Sequence, residues 1–221
     1  MRGGPDLPGP LFLSRLYRQV FGGEMVGRVL FVLLLATVGT SRAQVPPDLT
    51  PVKCAWASFT PQQQERLRNA FVVDNKTNQY RHNRASDRET AAAAQACKLT
   101  YGPAQLGELA GALGYKAREE VSRMGISARG LVKAQLIDRA VENLRDERRA
   151  EIGDRLACPG GYTMESEWDR SVIMAIRRTG TKTMDGVSVS LIGLGVYAIV
   201  AQEGHMRRIL GTNPPCPPPE Q

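Results

Sequence analysis

Histidine is almost missing from this chain: two residues, His82 and His205, in 221. Two imidazoles cannot make a histidine-rich metal site. The four cysteines, Cys54, Cys97, Cys158 and Cys216, do not replace them, because no pair has the close spacing of a zinc or dithiol motif. No Gly-x-Ser-x-Gly stretch is present. Gly180-Thr181-Lys182-Thr183 echoes the end of a phosphate-binding loop, but Ala175 stands where that loop needs a glycine. No cofactor is therefore expected. Strand signals are also scarce: the Asp185-Gly186 pair precedes a continuous apolar run rather than joining two alternating ones.

What the sequence does contain begins with a second apparent start. Met25 to Pro47 reads MVGRVLFVLLLATVGTSRAQVPP. Arg28 supplies a positive flank and Val29 to Gly39 an apolar run, followed by Ser41-Arg42-Ala43 with small residues at the two positions a signal peptidase reads. A membrane anchor fits less well, since a span needs about 18 or more apolar residues and Glu24 and Arg28 close the run upstream. Residues 25–43 are thus expected to be a secretory signal. Residues 1–24 are expected to be an annotation extension before a true start at Met25, with an unusually long leader as the alternative. Residues 44–211 are expected to form a single helical domain and 212–221 a Pro-rich tail, in a periplasmic or extracellular protein.

The formal net charge is +7. Residues 1–43 carry five basic and two acidic residues, so the remainder has a net charge of +4. That bias is mild and no dense basic cluster accompanies it, so nucleic acid is not an expected partner. In an oxidising compartment four scattered cysteines read as two disulfides. A helical hairpin would bring Cys54 beside Cys97 and leave Cys158 to take Cys216, pinning the tail.

The periodicity predicts an all-α fold, an irregular bundle of five to six helices with a hydrophobic C-terminal central helix. Residues 44–59 look Pro-rich and irregular, with Trp56 and Phe59 folding back onto the body. Thr60-Pro61-Gln62-Gln63 and Ser86-Asp87-Arg88-Glu89 are capping boxes, opening helices over 61–76 and 86–99. A third runs from Gly102 and ends at Gly125, burying Leu106, Leu109, Ala110, Leu113, Ala117 and Val121. Ser127 caps the longest, 128–157, whose charged run RDERRAEIGDR from Arg145 to Arg155 reads as a solvated face paired internally as Asp146–Arg149 and Glu151–Arg155. A fifth starts at Thr163 and ends at Gly180, with Trp168, Val172, Ala175 and Ile176 inward. A sixth spans 187–210. Its apolar stretch is too short for a span, and Leu191, Leu194, Tyr197 and Ile199 are expected to be buried.

Three groupings carry candidate chemistry. Arg81, His82, Arg84 and Arg88 gather near a helix start and form a candidate anion site. Glu108, Glu119 and Glu120 raise the possibility of paired carboxylates. Adjacent helical residues diverge, however, and Glu108 and Glu119 stand three turns apart, roughly 16 Å by helix rise, too far to flank one glycosidic bond. His205, Arg207 and Arg208 close the last helix, where cations complement its dipole. The expected function is a non-enzymatic exported accessory that binds an envelope protein or cell-wall material. The alternatives are a small hydrolase of envelope polymers and a membrane-active protein using 187–210. No stable transmembrane segment is expected after signal cleavage.

The exported chain should begin at Gln44. N-terminal sequencing or intact mass of the secreted product checks this, and a product retaining Met25 or Met1 would overturn the cleaved-signal reading.

Overall fold

The structure, a computed structural model, describes residues 45–69, 85–130, 135–158, 166–180, 184–214 and 216. These belong to one compact unit, residues 43–221. Among the described residues there are eight α-helices and no strand, so the chain is all-α as its periodicity predicts. The helices are α1 (Thr50–Ser58), α2 (Pro61–Asn69), α3 (Asp87–Ala96), α4 (Pro103–Arg129), α5 (Leu136–Glu142), α6 (Asp146–Leu156), α7 (Ser166–Arg177) and α8 (Gly186–Ile209).

Six helices become eight for two reasons. The first is α1, inside the segment expected to be irregular. Pro51 occupies the first turn of α1, where its missing N–H costs nothing. Asp48 accepts from the Thr50 amide at 2.8 Å and its hydroxyl at 2.7 Å. Val52, Ala55, Trp56 and Phe59 are buried, so the two aromatics do fold back onto the body. The second is a break in the helix expected over 128–157. Asn143 closes α5, and Arg145 is extended (φ −65°, ψ 137°) before Asp146 and Glu147 open α6 with acidic residues at its positive end.

The start of that segment belongs to α4 instead. Gly125 does not stop α4, and Ser127 is not a cap. The helix continues to Gly130, whose left-handed φ of 64° suits glycine and whose amide donates to the Ser127 carbonyl at 3.1 Å. Gly125 serves packing: a Cβ there would meet the Leu191 methyls at 3.2 Å.

Both capping boxes form. The Gln63 amide donates to Thr60 Oγ1 at 3.3 Å and the Thr60 amide to Gln63 Oε1 at 2.8 Å. Ser86 and Glu89 reciprocate in the same way, and the Ser86 hydroxyl, then its amide and Arg66, hold the Glu89 carboxyl down at about 2. At the other end of α3, Lys98 adopts φ 57° while the Leu99 amide reaches the Ala94 carbonyl and the Lys98 amide that of Gln95, a Schellman stop with lysine where glycine is usual. Cys97, at that stop, is bonded to Cys54 of α1, and Cys158, just past α6, to Cys216 of the tail. In the chain-entropy account a 43-residue closure contributes about 4 kcal/mol.

The two long helices α4 and α8 run antiparallel. Gln105 meets Ile209, Glu108 meets His205, Glu119 meets Gln202, Gly125 meets Leu191 and Arg129 meets Asp185, so one number falls as the other rises. Two apolar clusters flank this pair. One joins α1, α2 and α3 to the first half of α4 and to Met206 and Ile209. The other joins α5, α6 and α7 to α8 as far as Ala201. The last helix is therefore central, packed against α4, α5, α6 and α7. Its fully enclosed ridge is Ile192, Val196 and Val200. Tyr197 and Ile199 are buried as expected, but Leu191 and Leu194 are only half-buried, on a face of α8 that its neighbours leave partly open. Among the described residues α8 alone is long and apolar enough to cross a membrane by length and composition, and 61% of that window is buried.

Glycine permits the tightest approach. A Cβ on Gly204 would collide with the Gly153 carbonyl and one on Gly153 with the Val200 carbonyl, so α6 and α8 touch backbone to backbone. A Cβ on Gly114 would meet nothing within 4 Å. Gly204→Ala should accordingly cost about 3 kcal/mol or more, because a backbone must move. Gly114→Ala should instead raise stability by about 0.5–1 kcal/mol through helix propensity. Urea unfolding with disulfides intact measures both, and equal destabilisation by the two changes would contradict this packing.

Candidate functional site

The second half of α8, Gln202-Glu203-Gly204-His205-Met206-Arg207-Arg208, is polar where the first half is apolar. Gln202, Glu203, His205 and Arg207 are nonetheless buried. A helix enclosed on all sides has no solvated face to which such groups can be sent, so each must find its partner inside.

The partners come from α4 and α6. His205 Nδ1 lies 2.7 Å from Glu108 Oε2, and Arg208 Nε donates to Glu108 Oε1 at 2.9 Å. The His205 ring lies directly on Gly111, where any Cβ would collide with it, and 5.6 Å from the Tyr115 ring. Tyr115 in turn donates its hydroxyl to the Leu156 carbonyl at 3.2 Å. Three turns along α4, Glu119 receives the Gln202 amide at 3.0 Å, Lys116 at 3.2 Å and Arg123 at 2.8 Å. From α6, Arg149 grips Glu203 with two hydrogen bonds, the Nε–Oε2 one at 2.8 Å. Arg207 Nε donates to Asp154 Oδ1 at 2.7 Å and its Nη2 to the Ala150 carbonyl at 3.2 Å.

The electrostatics follow from these contacts. Burial pushes the Glu108 carboxyl up, but hydrogen bonds from His205 and Arg208, and their charges, outweigh it and hold the group below the ordinary carboxylate range. Burial likewise opposes ionisation of Glu119. The Lys116 charge, the Gln202 amide and Arg123 reverse the balance and hold it low as well. A glycosidase acid needs the opposite, a carboxyl kept protonated near neutrality. Among the described residues no group of three or more His, Cys, Asp or Glu could hold a metal ion.

Of the sequence candidates, Arg81, His82 and Arg84 lie outside the described residues, and Arg88 is exposed on α3. Glu108 and Glu119 both line the α4–α8 contact, while Glu120 pairs with Lys116 at 2.8 Å. The run from Arg145 to Arg155 is not simply a solvated face. Arg149 turns inward to Glu203 rather than to Asp146, and Asp154 pairs with Arg207. Arg148, rather than Arg155, pairs with Glu151. A half-buried run offers its acids and bases to an enclosed neighbour before it offers them to each other, since only the neighbour's charges lack water. The cations closing α8 have specific carboxylate partners in addition to the helix dipole. Gln202 carried no role in the sequence reading and Glu203 only that of a charge closing the apolar stretch, although a glutamate immediately after such a stretch, in a helix expected to be central, is the signal that a cation must come from elsewhere.

No protein-family model, curated protein or solved structure matches this chain.

The Glu203 side chain is 2% exposed and that of Arg149 16%. Arg149→Met strands a buried carboxylate and should cost about 3–5 kcal/mol, whereas Arg149→Met with Glu203→Leu should recover most of the loss. A double-mutant cycle by urea unfolding reads this. Additive losses would show that the pair is not coupled.

Proposed function

We propose that the protein is an exported, disulfide-fastened helical accessory, periplasmic or extracellular, that acts by binding an envelope protein or cell-wall material rather than by catalysis. The observation that carries this reading is that Glu108, Glu119 and Glu203 are each committed to cations of the enclosed helix or its neighbours. Carboxylates so neutralised, two of them held low, hold the helices together and are poorly placed to transfer protons. The signal-like segment 25–43 and the two disulfides support an oxidising destination. Outside the core, Met124 is 57% and Val187 53% exposed. Met124 precedes Gly125 on α4 and Val187 lies in the first turn of α8, and a binding protein can use such exposed apolar side chains.

The purified mature chain should release no product from peptidoglycan or other envelope polymers. A photo-crosslinking residue at Met124 or Val187 should give one discrete adduct in the envelope fraction, and the same probe at Arg88 none. Hydrolysis abolished by Glu108→Gln or Glu119→Gln would establish the hydrolase instead. Partitioning of the intact chain into liposomes without an adduct would establish the membrane-active alternative.

A further inference from the structure

The two disulfides differ in their surroundings. Cys54 is exposed and Cys97 half-buried, and among the described residues no cationic side chain donates to either sulfur. Cys158 and Cys216 are both half-buried, and Arg208 reaches them. Its Nη1 is 2.9 Å from Cys216 Sγ and 4.0 Å from Cys158 Sγ. The guanidinium is aimed by its Nε, which is fixed to Glu108, and Glu108 is fixed to His205. A helix-borne cation is thus held against one sulfur of a disulfide by a carboxylate behind it.

We propose that Cys158–Cys216 is a thiol-exchange site whose substrate is a dithiol reductant, with Cys158 as the attacked sulfur and Cys216 as the leaving one. A substrate thiolate forms a new S–S bond to Cys158 Sγ. The Cys158–Cys216 bond breaks, and its electron pair leaves on Cys216 Sγ as a thiolate beside Arg208. The second thiol of the reductant, as thiolate, then displaces Cys158. The reductant departs as its own disulfide. Of the two protons its thiols gave up, one goes to the Cys158 sulfur and one to solvent, so the protein keeps Cys158 as a thiol and Cys216 as a thiolate beside Arg208. Positive charge lowers a thiol's pKa, and a lower-pKa thiol leaves faster. The charge lies nearest Cys216, which fixes the direction of attack. Opening this bond disturbs little else, because Asn213 donates to the Gly204 carbonyl at 3.0 Å and Thr212 to that of Arg207 at 3.2 Å, fastening the chain beyond α8 independently.

Access alone predicts the reverse order of reduction, since Cys54 is the exposed sulfur. The test is limiting dithiothreitol on the intact mature protein, with acid quench, alkylation and peptide mapping over time. Cys158 and Cys216 should be labelled before Cys54 and Cys97. Arg208→Gln should slow that first step about three- to tenfold, from a thiol pKa change of one to two units and a Brønsted sensitivity of about one half. Arg208→Lys, which keeps a cation beside the sulfur, should recover much of that rate. Local loosening would instead accelerate both variants. In the half-reduced protein the Cys216 thiol should alkylate with a midpoint below the ordinary value of about 8.5, rising in Arg208→Gln. Reduction of Cys54–Cys97 first, an unslowed Arg208→Gln, or a Cys216 midpoint at or above the ordinary value would each overturn the proposal.

Discussion

The enclosure of α8 is the constraint from which the rest of the structure follows. Four helices surround it, and where its sequence turns polar there is no water to receive the polar groups. An unpaired buried charge costs several kcal/mol, so Glu203 requires Arg149, Arg207 requires Asp154, and Glu108 must answer both His205 and Arg208. Register follows from the same requirement. Sliding α8 by one turn against α4 would part Glu108 from His205 and Glu119 from Gln202 together. The apolar clusters tolerate small adjustments of packing, whereas these pairings specify a single alignment.

Small residues make the enclosure possible. Gly111 admits the His205 ring, Gly195 faces the Ile137 side chain, and Gly153 and Gly204 let two backbones meet. Each glycine in a helix costs up to about 1 kcal/mol in propensity. That cost is offset by contacts no larger residue would permit, and the close approach also places Arg149 and Asp154 within reach of α8. Gly114 has no such neighbour and stands outside this account.

The fold was legible where the signal is local. Ser86 with Glu89, Thr60 with Gln63, and the apolar spacing from Leu109 to Ala117 each specify a helix without reference to the rest of the chain. It was illegible where two local signals compete. Three prolines between 46 and 51 masked the spacing of Val52, Ala55, Trp56 and Phe59, although Pro51 is harmless in a first turn. Gly125 resembles a helix stop, and only the tertiary neighbour Leu191 explains why it is not one. The break at Asn143 to Arg145 carries no proline or glycine, and the i,i+4 spacing runs through it unchanged. Periodicity alone therefore merges α5 with α6. Leu191 and Leu194 show the complementary limit, since hydropathy marks them for burial but cannot say which face of α8 its neighbours leave partly open.

The polar site was the least legible part, because ion pairing between helices is a property of pairs far apart in sequence. Glu108 and His205 are separated by 97 residues, and Gln202 and Glu119 by 83. Reading Glu108 and Glu119 along α4 ruled out their cooperation with each other but could not reveal that each faces a different part of α8. The disulfide pairing was easier, since four cysteines allow three arrangements and the placement of helix ends selects among them. What the pairing could not convey is the asymmetry of environment. Cys158–Cys216 lies at the end of the polar layer, so the pairing that fixes Glu108 between His205 and Arg208 also fixes a guanidinium against sulfur. The charge matching that the enclosure demands therefore extends to a covalent bond at the edge of the bundle, where a half-buried carboxylate of α4 holds a guanidinium against sulfur.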